Sequence, residues 1–202
     1  MKALYIFIIM SCFFIKNHAQ NNFVKLIESQ TVPVIIDGEL AEQEWLNAQE
    51  ILIKGITDRE VTVLLKYDTD NLYIAYRNLT DSKNINLNAE VLINTSIEEP
   101  VWDDHCYWFH ASYGNCSAIG QYYYWDNCTT EPTGWIANTF PFKNGNNNME
   151  FKISFSKLNI TPAQVKQLKI AFKLSDPLEQ QVYWPEVANI ANPDTWGTIT
   201  FN

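Results

Sequence analysis

The residues best suited to chemistry lie close together between Asn88 and His110. Glu90 precedes two tryptophans, Trp102 and Trp108, and His110 follows the second of them. A carboxylate and an imidazole make directed hydrogen bonds, whereas an indole presents a flat apolar surface. Sugars need both, because their hydroxyls seek hydrogen-bond partners while the C–H patches of the ring stack on aromatic side chains. The segment therefore predicts a binding site for a polyol.

Two predicted β-strands would place these side chains on one face. Side chains of a strand point alternately to its two faces. The first strand turns three side chains away from the core: Glu90, Leu92 and Asn94. The second does the same with another three: Cys106, Trp108 and His110. If the strands are neighbours, the carboxylate, the indole and the imidazole share a surface.

The amino end has the layout of a secretory signal. Lys2 is followed by the apolar run 3–15 and then by a short polar segment, with a predicted cleavage site near Ala19. The run is too short to span a bilayer. We therefore expect a signal peptide at 1–19, one domain at 20–202, and a secreted, periplasmic or cell-surface protein without a membrane span.

The charge narrows the possible partners. Without residues 1–19 the chain keeps 12 basic and 23 acidic residues, a net charge of −11. Such a surface disfavours nucleic acid, anionic membranes and polyanionic sugars. Neutral oligo- or polysaccharides, cations and proteins remain as partners.

Three cysteines remain after predicted cleavage, and export permits disulfides. Cys116 and Cys128 bracket a loop rich in tyrosine, serine and glycine, where a bridge would restrain the chain. We predict that these two form a disulfide. Cys106 is then expected to be buried in its strand as a small apolar side chain.

Short strands at even spacing predict the fold. Strands are expected at Val32–Ile36 and at six or more later positions, and helical turns only at Glu39–Ala48 and Ser156–Leu158. This pattern is typical of an antiparallel β-sandwich. Trp45 and Trp135 are expected in the core.

Several segments together resemble the family 9 carbohydrate-binding modules. They are IIDGELAEQEWLNA (35–48), LKYDTDNLYIAYRN (65–78), AEVLIN (89–94), EFKISFSKL (150–158) and PDTWGTITF (193–201). The resemblance implies a lectin-like β-sandwich, related to DOMON domains, that binds sugars on aromatic side chains and has loops supported by calcium. It implies binding and not hydrolysis.

The resemblance carries over to few site residues. Glu90 matches an acidic position of the family on the strand before the ligand face, whereas Asn94 stands where an aspartate is usual. Trp184 lies in a late loop where the family often has a functional aromatic residue. Trp125, in the long loop after the second strand, is a further candidate to stack on a sugar. The carbohydrate-binding set is thus Glu90, Trp102, Trp108, His110, Trp125 and Trp184.

Metal and haem sites are weaker interpretations. Carboxylates of the acidic turn are oxygen ligands of the kind that calcium prefers: Glu98, Glu99, Asp103 and Asp104. Their spacing matches no metal motif, so calcium remains a possible structural ion. His105 and His110 would fall on opposite faces of a strand and so not share zinc. A haem held between Met149 and His110 is a further alternative.

Three classes of function stay open at this point. The first is a non-catalytic carbohydrate-binding protein, active in the capture or breakdown of polysaccharides. The second is a glycosidase, which needs two positioned carboxylates; Glu90 with Asp104 or Glu186 would be available, but nothing in the sequence pairs them. The third is a sandwich that binds another protein and no sugar.

Overall fold

A computed structural model describes most of the chain after the predicted signal. The described residues are 22–29, 33–54, 60–80, 87–96, 98–111, 116–121, 124–125, 133–139, 148–176, 178 and 180–202. Five of them are described by their backbone alone: Cys116, Gln121, Tyr124, Trp125 and Thr139. Among the described residues there is no helix with the length and apolar character of a membrane span.

The regular structure is almost entirely β. The strands are β1 (Phe23–Leu26), β2 (Gln49–Ile53), β3 (Val61–Tyr67), β4 (Asn71–Arg77), β5 (Asn88–Asn94), β6 (Cys106–Ala111), β7 (Cys116–Gln121), β8 (Tyr124–Trp125), β9 (Trp135–Thr139), β10 (Met149–Ser154), β11 (Gln167–Ser175), β12 (Gln181–Trp184) and β13 (Gly197–Phe201). A short 3-10 helix, Pro193–Thr195, precedes β13.

Two sheets pack into a sandwich, which confirms the predicted fold class. The larger sheet has the order β1-β13-β11-β5-β6-β7-β8, and the smaller has the order β2-β3-β4-β10-β9. Neighbouring strands are antiparallel except β1 and β13. One edge of β11 is shared, because β13 pairs with Gln167–Ile170 and β12 pairs with Phe172–Ser175.

The core fills the space between the sheets and holds β5 from its inner face. Tyr76, on the smaller sheet, is fully buried and donates its hydroxyl to the backbone oxygen of Glu90 over 2.8 Å. Its ring meets Phe172 of the larger sheet edge-on, with the centroids 6.1 Å apart. Burying a side chain such as Phe172 stabilises the fold by about 1.5–3 kcal/mol. The strand that carries Glu90 is thus held by both layers.

Residues 33–48 cover the outer face of the smaller sheet. Glu150 is fully buried there and accepts hydrogen bonds from the N–H of Asp37 and Gly38 and from Nε1 of Trp45, at 3.0, 2.7 and 2.8 Å. Gly38 has a φ of 83°, which glycine adopts without strain. Burial raises the pKa of Glu150, and these donors only partly offset it. Trp45 is buried, as predicted.

Local predictions are confirmed in part. The strand predicted at Val32–Ile36 is wrong, because 33–36 form no strand and Val34 and Ile36 instead pack onto the outer face of the smaller sheet. The predicted helical turns are hydrogen-bonded turns; Trp45 N–H, for example, donates to the oxygen of Ala41 over 3.2 Å. Trp135 lies in the core.

Candidate functional site

The pairing of β5 with β6 brings the predicted residues together. Glu90 lies opposite His110, and Leu92 lies opposite Trp108. The intervening residues, such as Val91 and Phe109, belong to the core between the sheets. The carboxylate, the indole and the imidazole therefore share the outer face of the larger sheet, as the alternation predicted.

Glu90 is the centre of a buried polar cluster on this face. Its side chain is 3 % exposed. Lys173 Nζ lies 3.0 Å from both carboxylate oxygens, and Trp108 Nε1 donates to Oε2 over 2.6 Å. His110 Nδ1 lies 3.5 Å from Oε1. Lys173 and Trp108 thus satisfy both carboxylate oxygens, and Glu90 lies beneath the surface, where it positions the side chains around it.

The cluster fixes the charge of Glu90. Burial by itself raises the pKa of a carboxyl group. At Glu90 the nearby imidazole of His110 and the positive charge of Lys173 outweigh burial, so that the pKa lies below its ordinary value. Glu90 is therefore a carboxylate at neutral pH, and the buried negative charge has a cation beside it.

Three aromatic side chains on this face remain partly exposed: Trp102, Trp108 and Tyr183. Tyr183 lies opposite Lys173, which lies opposite Glu90, so that one row crosses β12, β11, β5 and β6. The hydroxyl of Tyr183 donates to Oε1 of Gln181 over 2.8 Å. Burial and the charge of Glu90 raise the pKa of Tyr183. The hydroxyl thus keeps its proton and remains able to donate a hydrogen bond.

A small apolar cluster supports the aromatic side chains. It contains Leu92, Cys106, Ala171, Ala188 and Trp196, with Trp102, Trp108 and Tyr183 packed against it. The segment before β13 is tied down by Nε1 of Trp196, which donates to the oxygen of Asn189 over 2.8 Å. Because this segment packs on Leu92, that side chain is buried although it points away from the main core. Asn94 is buried on the same face, where its Nδ2 donates to the backbone oxygen of Val101 over 2.9 Å.

Trp184 requires a correction. It lies opposite Phe172, so its side chain points into the sandwich, where it is 1 % exposed and its ring lies 5.6 Å from that of Phe172. A buried ring offers no face to a sugar, and the assignment of Trp184 to the binding surface is therefore wrong. The preceding residue, Tyr183, is the one that points outward.

The predictions for Trp125 and for the disulfide fall outside what the structure describes. Only the backbone of Trp125 and of Cys116 is described, and Cys128 lies outside the described residues. Both remain predictions. Cys106 is a buried free cysteine, as predicted, and burial raises the pKa of its thiol.

The acidic turn brings together a different group from the one predicted to hold calcium. Asp103, Asp104 and His105 offer atoms within 4.8 Å of one another, and Nδ1 of His105 lies 3.0 Å from Oδ2 of Asp103. Asp104 and His105 are exposed, and exposed acidic groups of this kind are common without a metal. Calcium binding therefore stays a prediction.

The two histidines and Met149 lie in different parts of the fold. His105 precedes β6 and is not on the strand, which corrects the predicted placement. His110 lies on the outer face of the larger sheet, whereas Met149 is buried in the core cluster between the sheets. This placement gives no support to a haem held between Met149 and His110.

Lys173, Tyr183 and Trp196 belong to the site but were not predicted from the sequence. Lys173 alternates with Phe172 and Leu174, which indicates an outward side chain and nothing more. Its role depends on the pairing of β11 with β5, two strands that are far apart in the chain. Trp196 entered the prediction only as part of the segment 193–201, which resembles the family.

Solved structures of carbohydrate-binding modules share this arrangement of strands. A family 9 carbohydrate-binding module from Caldicellulosiruptor kristjanssonii in complex with cellotriose superposes with a TM-score of 0.63 and 16 % sequence identity, over 89 % of this chain and 93 % of the module. The chain has the fold of a family 9 carbohydrate-binding module. A complex of such a module from the same organism with glucose gives a TM-score of 0.60 at 17 % identity, over 88 % of this chain and 95 % of that one.

A third structure has the same fold. It is described as a candidate carbohydrate-binding protein of Bacteroides uniformis, and it superposes with a TM-score of 0.57 at 14 % identity, over 91 % of this chain and 99 % of that one. No protein-family model and no curated protein matches the sequence. At these identities the likeness establishes the family 9 fold, and the ligand must be argued from the side chains of this chain.

Proposed function

We propose that this protein binds a neutral carbohydrate, without catalysis, on the outer face of its larger sheet. The observation that carries the proposal is the bond from Trp108 to Glu90. A buried carboxylate holds the indole N–H over 2.6 Å, which fixes the orientation of a ring that is partly exposed. A fixed, partly exposed aromatic ring loses little conformational entropy when a ligand stacks on it.

Trp102 and Tyr183 pack against the same apolar cluster as Trp108 and extend the aromatic surface. Aromatic rings suit the C–H patches of a pyranose, and the polar groups beside them suit its hydroxyls. His110, whose side chain is 22 % exposed, and the Tyr183 hydroxyl are the polar groups that we expect to meet those hydroxyls. Binding would be in the micromolar to millimolar range, or about 4 to 8 kcal/mol.

Glu90 takes an indirect role in this account. With its side chain 3 % exposed and both oxygens already bonded, it acts as a positioning residue for Trp108 and Lys173. The sequence suggested that Glu90 accepts hydrogen bonds directly from the hydroxyls of a sugar. The geometry favours an indirect effect, in which loss of the carboxylate releases the indole.

The charges of the cluster argue against a glycosidase. A glycosidase needs a carboxylic acid with a raised pKa that protonates the leaving group, and a second carboxylate across the bond. Glu90 has a lowered pKa and is bonded to Lys173. It is therefore a poor proton donor at neutral pH. This supports a binding role.

The predicted signal at 1–19 would carry the domain out of the cytoplasm, to the side of the membrane on which it would meet polysaccharides. Two of the similar structures are complexes with cellotriose and with glucose, which makes β-linked glucans the first ligands to try. The net charge of −11 after removal of 1–19 favours neutral over anionic glycans. We propose that the protein captures such a polysaccharide for breakdown.

The test is a glycan array followed by titration calorimetry with residues 20–202, the form expected after cleavage of the signal and called here the secreted form. Both are run with calcium present and then with a chelator. Saturable binding in the wild type that falls in Trp108→Ala would support the proposal. Leu178→Ala is the control, because Leu178 is 77 % exposed and lies in the turn between β11 and β12. If no glycan binds in either condition, the proposal is wrong, and the outer face is better explained as a surface for another protein.

A further inference from the structure

A polar groove of about 350 Å³ lies at the far end of the same outer face. This volume lies within the range of small-molecule binding sites. Its walls include Phe23, Glu98, Gln167, Lys169, Asp194 and Thr198. None of the residues assigned above to sugar binding lines it.

The strand register places the groove on the outer face but apart from Trp108. Thr198 lies opposite both Phe23 and Lys169, and its neighbour Ile199 is in the core, so Thr198 points outward. Lys169 lies opposite Asn94 of β5, and Asn94 lies opposite Cys106 of β6, two residues before Trp108. At standard strand spacings the Cα atoms of Lys169 and Trp108 are about 12 Å apart. The groove is therefore a separate concavity on that face.

Four polar side chains in the groove are available to a ligand. Within the part of the chain that the structure describes, they make no side-chain hydrogen bond: Glu98, Gln167, Asp194 and Thr198. A carboxylate accepts hydrogen bonds, whereas an amide and a hydroxyl can both donate and accept. This combination suits a ligand with several adjacent hydroxyls, since each hydroxyl is donor and acceptor at once.

Lys169 shapes the wall and leaves the groove slightly acidic. Its Nζ donates to the backbone oxygens of Asp194 and Trp196, at 3.2 and 3.4 Å, which ties the 3-10 helix to the sheet. One lysine and two carboxylates give the lining a formal charge of −1. An anionic ligand is therefore disfavoured.

Phe23 supplies the apolar contact. Its side chain lies on β1 at the rim of the groove and is 49 % exposed, next to the polar groups. A half-exposed phenyl ring beside unused hydrogen-bonding groups repeats the combination found around Trp108. From this we infer that the groove is a second binding site for a neutral carbohydrate. The inference rests on the proposed function, because it assigns the same class of ligand to another part of the same face.

Chemical-shift mapping on the ¹⁵N-labelled secreted form tests the inference, with cellotriose and cellohexaose as probes. In the wild type, amides of Phe23, Gln167 and Thr198 should shift together with those of β5 and β6. In Trp108→Ala, the groove amides should still shift while the β6 response is lost. In Phe23→Ala, the β6 amides should still shift while the groove amides respond more weakly. The affinity of the groove for the sugar should fall about tenfold or more, as for a stacking residue.

Two further variants distinguish the loss of a ligand contact in Phe23→Ala from a disturbance of the structure. Gln167→Ala removes one hydrogen-bonding group and should weaken the groove response without loss of β6 shifts. Ile27→Ala is the control, because Ile27 is 67 % exposed just after β1 and does not line the groove. It should bind as the wild type does.

The two proposals fail in different ways. If the sugar shifts only β5, β6 and β12, and Trp108→Ala removes every response, the groove is not a site and the proposed function stands. If calcium alone shifts the groove amides and cellohexaose does not, the groove binds a cation and the inference is overturned. If neither sugar nor any other neutral glycan shifts any amide of the wild type, both proposals are wrong.

Discussion

Trp108 donates its indole N–H to the buried carboxylate of Glu90 over 2.6 Å. The same pair of groups recurs on the opposite sheet, where Trp45 donates to Glu150 over 2.8 Å. The two pairs differ in what surrounds the carboxylate. Lys173 neutralises Glu90, whereas Glu150 has two backbone N–H groups. One pair holds an aromatic ring at a surface, and the other closes a loop over the sheet.

Replacement of Lys173 by methionine should destabilise the protein by about 3–5 kcal/mol, because it leaves the charge of Glu90 buried without its cation. Urea unfolding measures the loss. The double variant Lys173→Met with Glu90→Gln should lose less than the two single variants together, since the second change removes the uncompensated charge. Strict additivity would contradict the ion pair.

The stability of the protein should depend on pH through Glu90. Its folded-state pKa is lowered below the ordinary value of 4.5, so its contribution is complete above about pH 4.5 and is lost as the pH falls through the lower folded-state value. Unfolding free energies between pH 7 and pH 3 should therefore fall less steeply with acid in Glu90→Gln than in the wild type.

Glu150→Gln is the matched comparison, with the opposite sign. Burial raises the pKa of Glu150, so its ionisation costs stability as the pH rises from 4.5 through the folded-state value. Relative to the wild type, Glu150→Gln should therefore gain stability as the pH rises through that range. If the unfolding free energy had the same slope against pH in Glu90→Gln and Glu150→Gln, the environments assigned to the two carboxyl groups would be contradicted.

The two tryptophan–carboxylate pairs predict different losses on mutation. Trp45→Phe and Trp108→Phe each remove one donor from a buried carboxylate, at a cost of about 1–3 kcal/mol in the unfolding free energy. Only Trp108→Phe should also weaken glycan binding, because only Trp108 reaches the proposed surface. Denaturation and calorimetry on the same preparations separate the two effects. Equal binding losses in both variants would indicate a general effect of destabilisation.

Trp184 should act on stability and not directly on binding. Trp184→Ala is expected to cost about 3–5 kcal/mol, as for other large side chains removed from a core. Gly197→Ala provides a second test, since a Cβ atom at Gly197 would lie 2.4 Å from the Trp184 ring. Both variants should lower the melting temperature. A Trp184→Ala protein with normal stability and no glycan binding would contradict the buried placement.

The alternation of side chains was enough to predict the site on β5 and β6. Leu92 and Trp108 were predicted on the same face because side chains along a strand have a period of two, and both β5 and β6 alternate clearly. The segment around Trp184 has no such alternation, since Val182, Tyr183 and Trp184 are all apolar or aromatic. A shift of one residue exchanges the faces. The sequence therefore left Trp184 and Tyr183 indistinguishable.

Long-range pairing was the other part that the sequence did not reveal. The partner of Glu90 is Lys173, which lies 83 positions away in the chain. The cover over Leu92 likewise comes from the distant segment that ends at Trp196. Composition and local pattern predict which side chains leave the core. They do not predict which distant strand lies beside them.

The most direct test of the central claim is calorimetric titration of neutral β-glucans, cellotriose first, into the wild type, Trp108→Ala and Trp45→Phe. The account predicts saturable binding in the wild type, binding weakened at least about tenfold in Trp108→Ala as for a hot-spot aromatic, and wild-type affinity in Trp45→Phe. An unchanged affinity in Trp108→Ala, or no binding of any neutral glycan to the folded wild type, would contradict it.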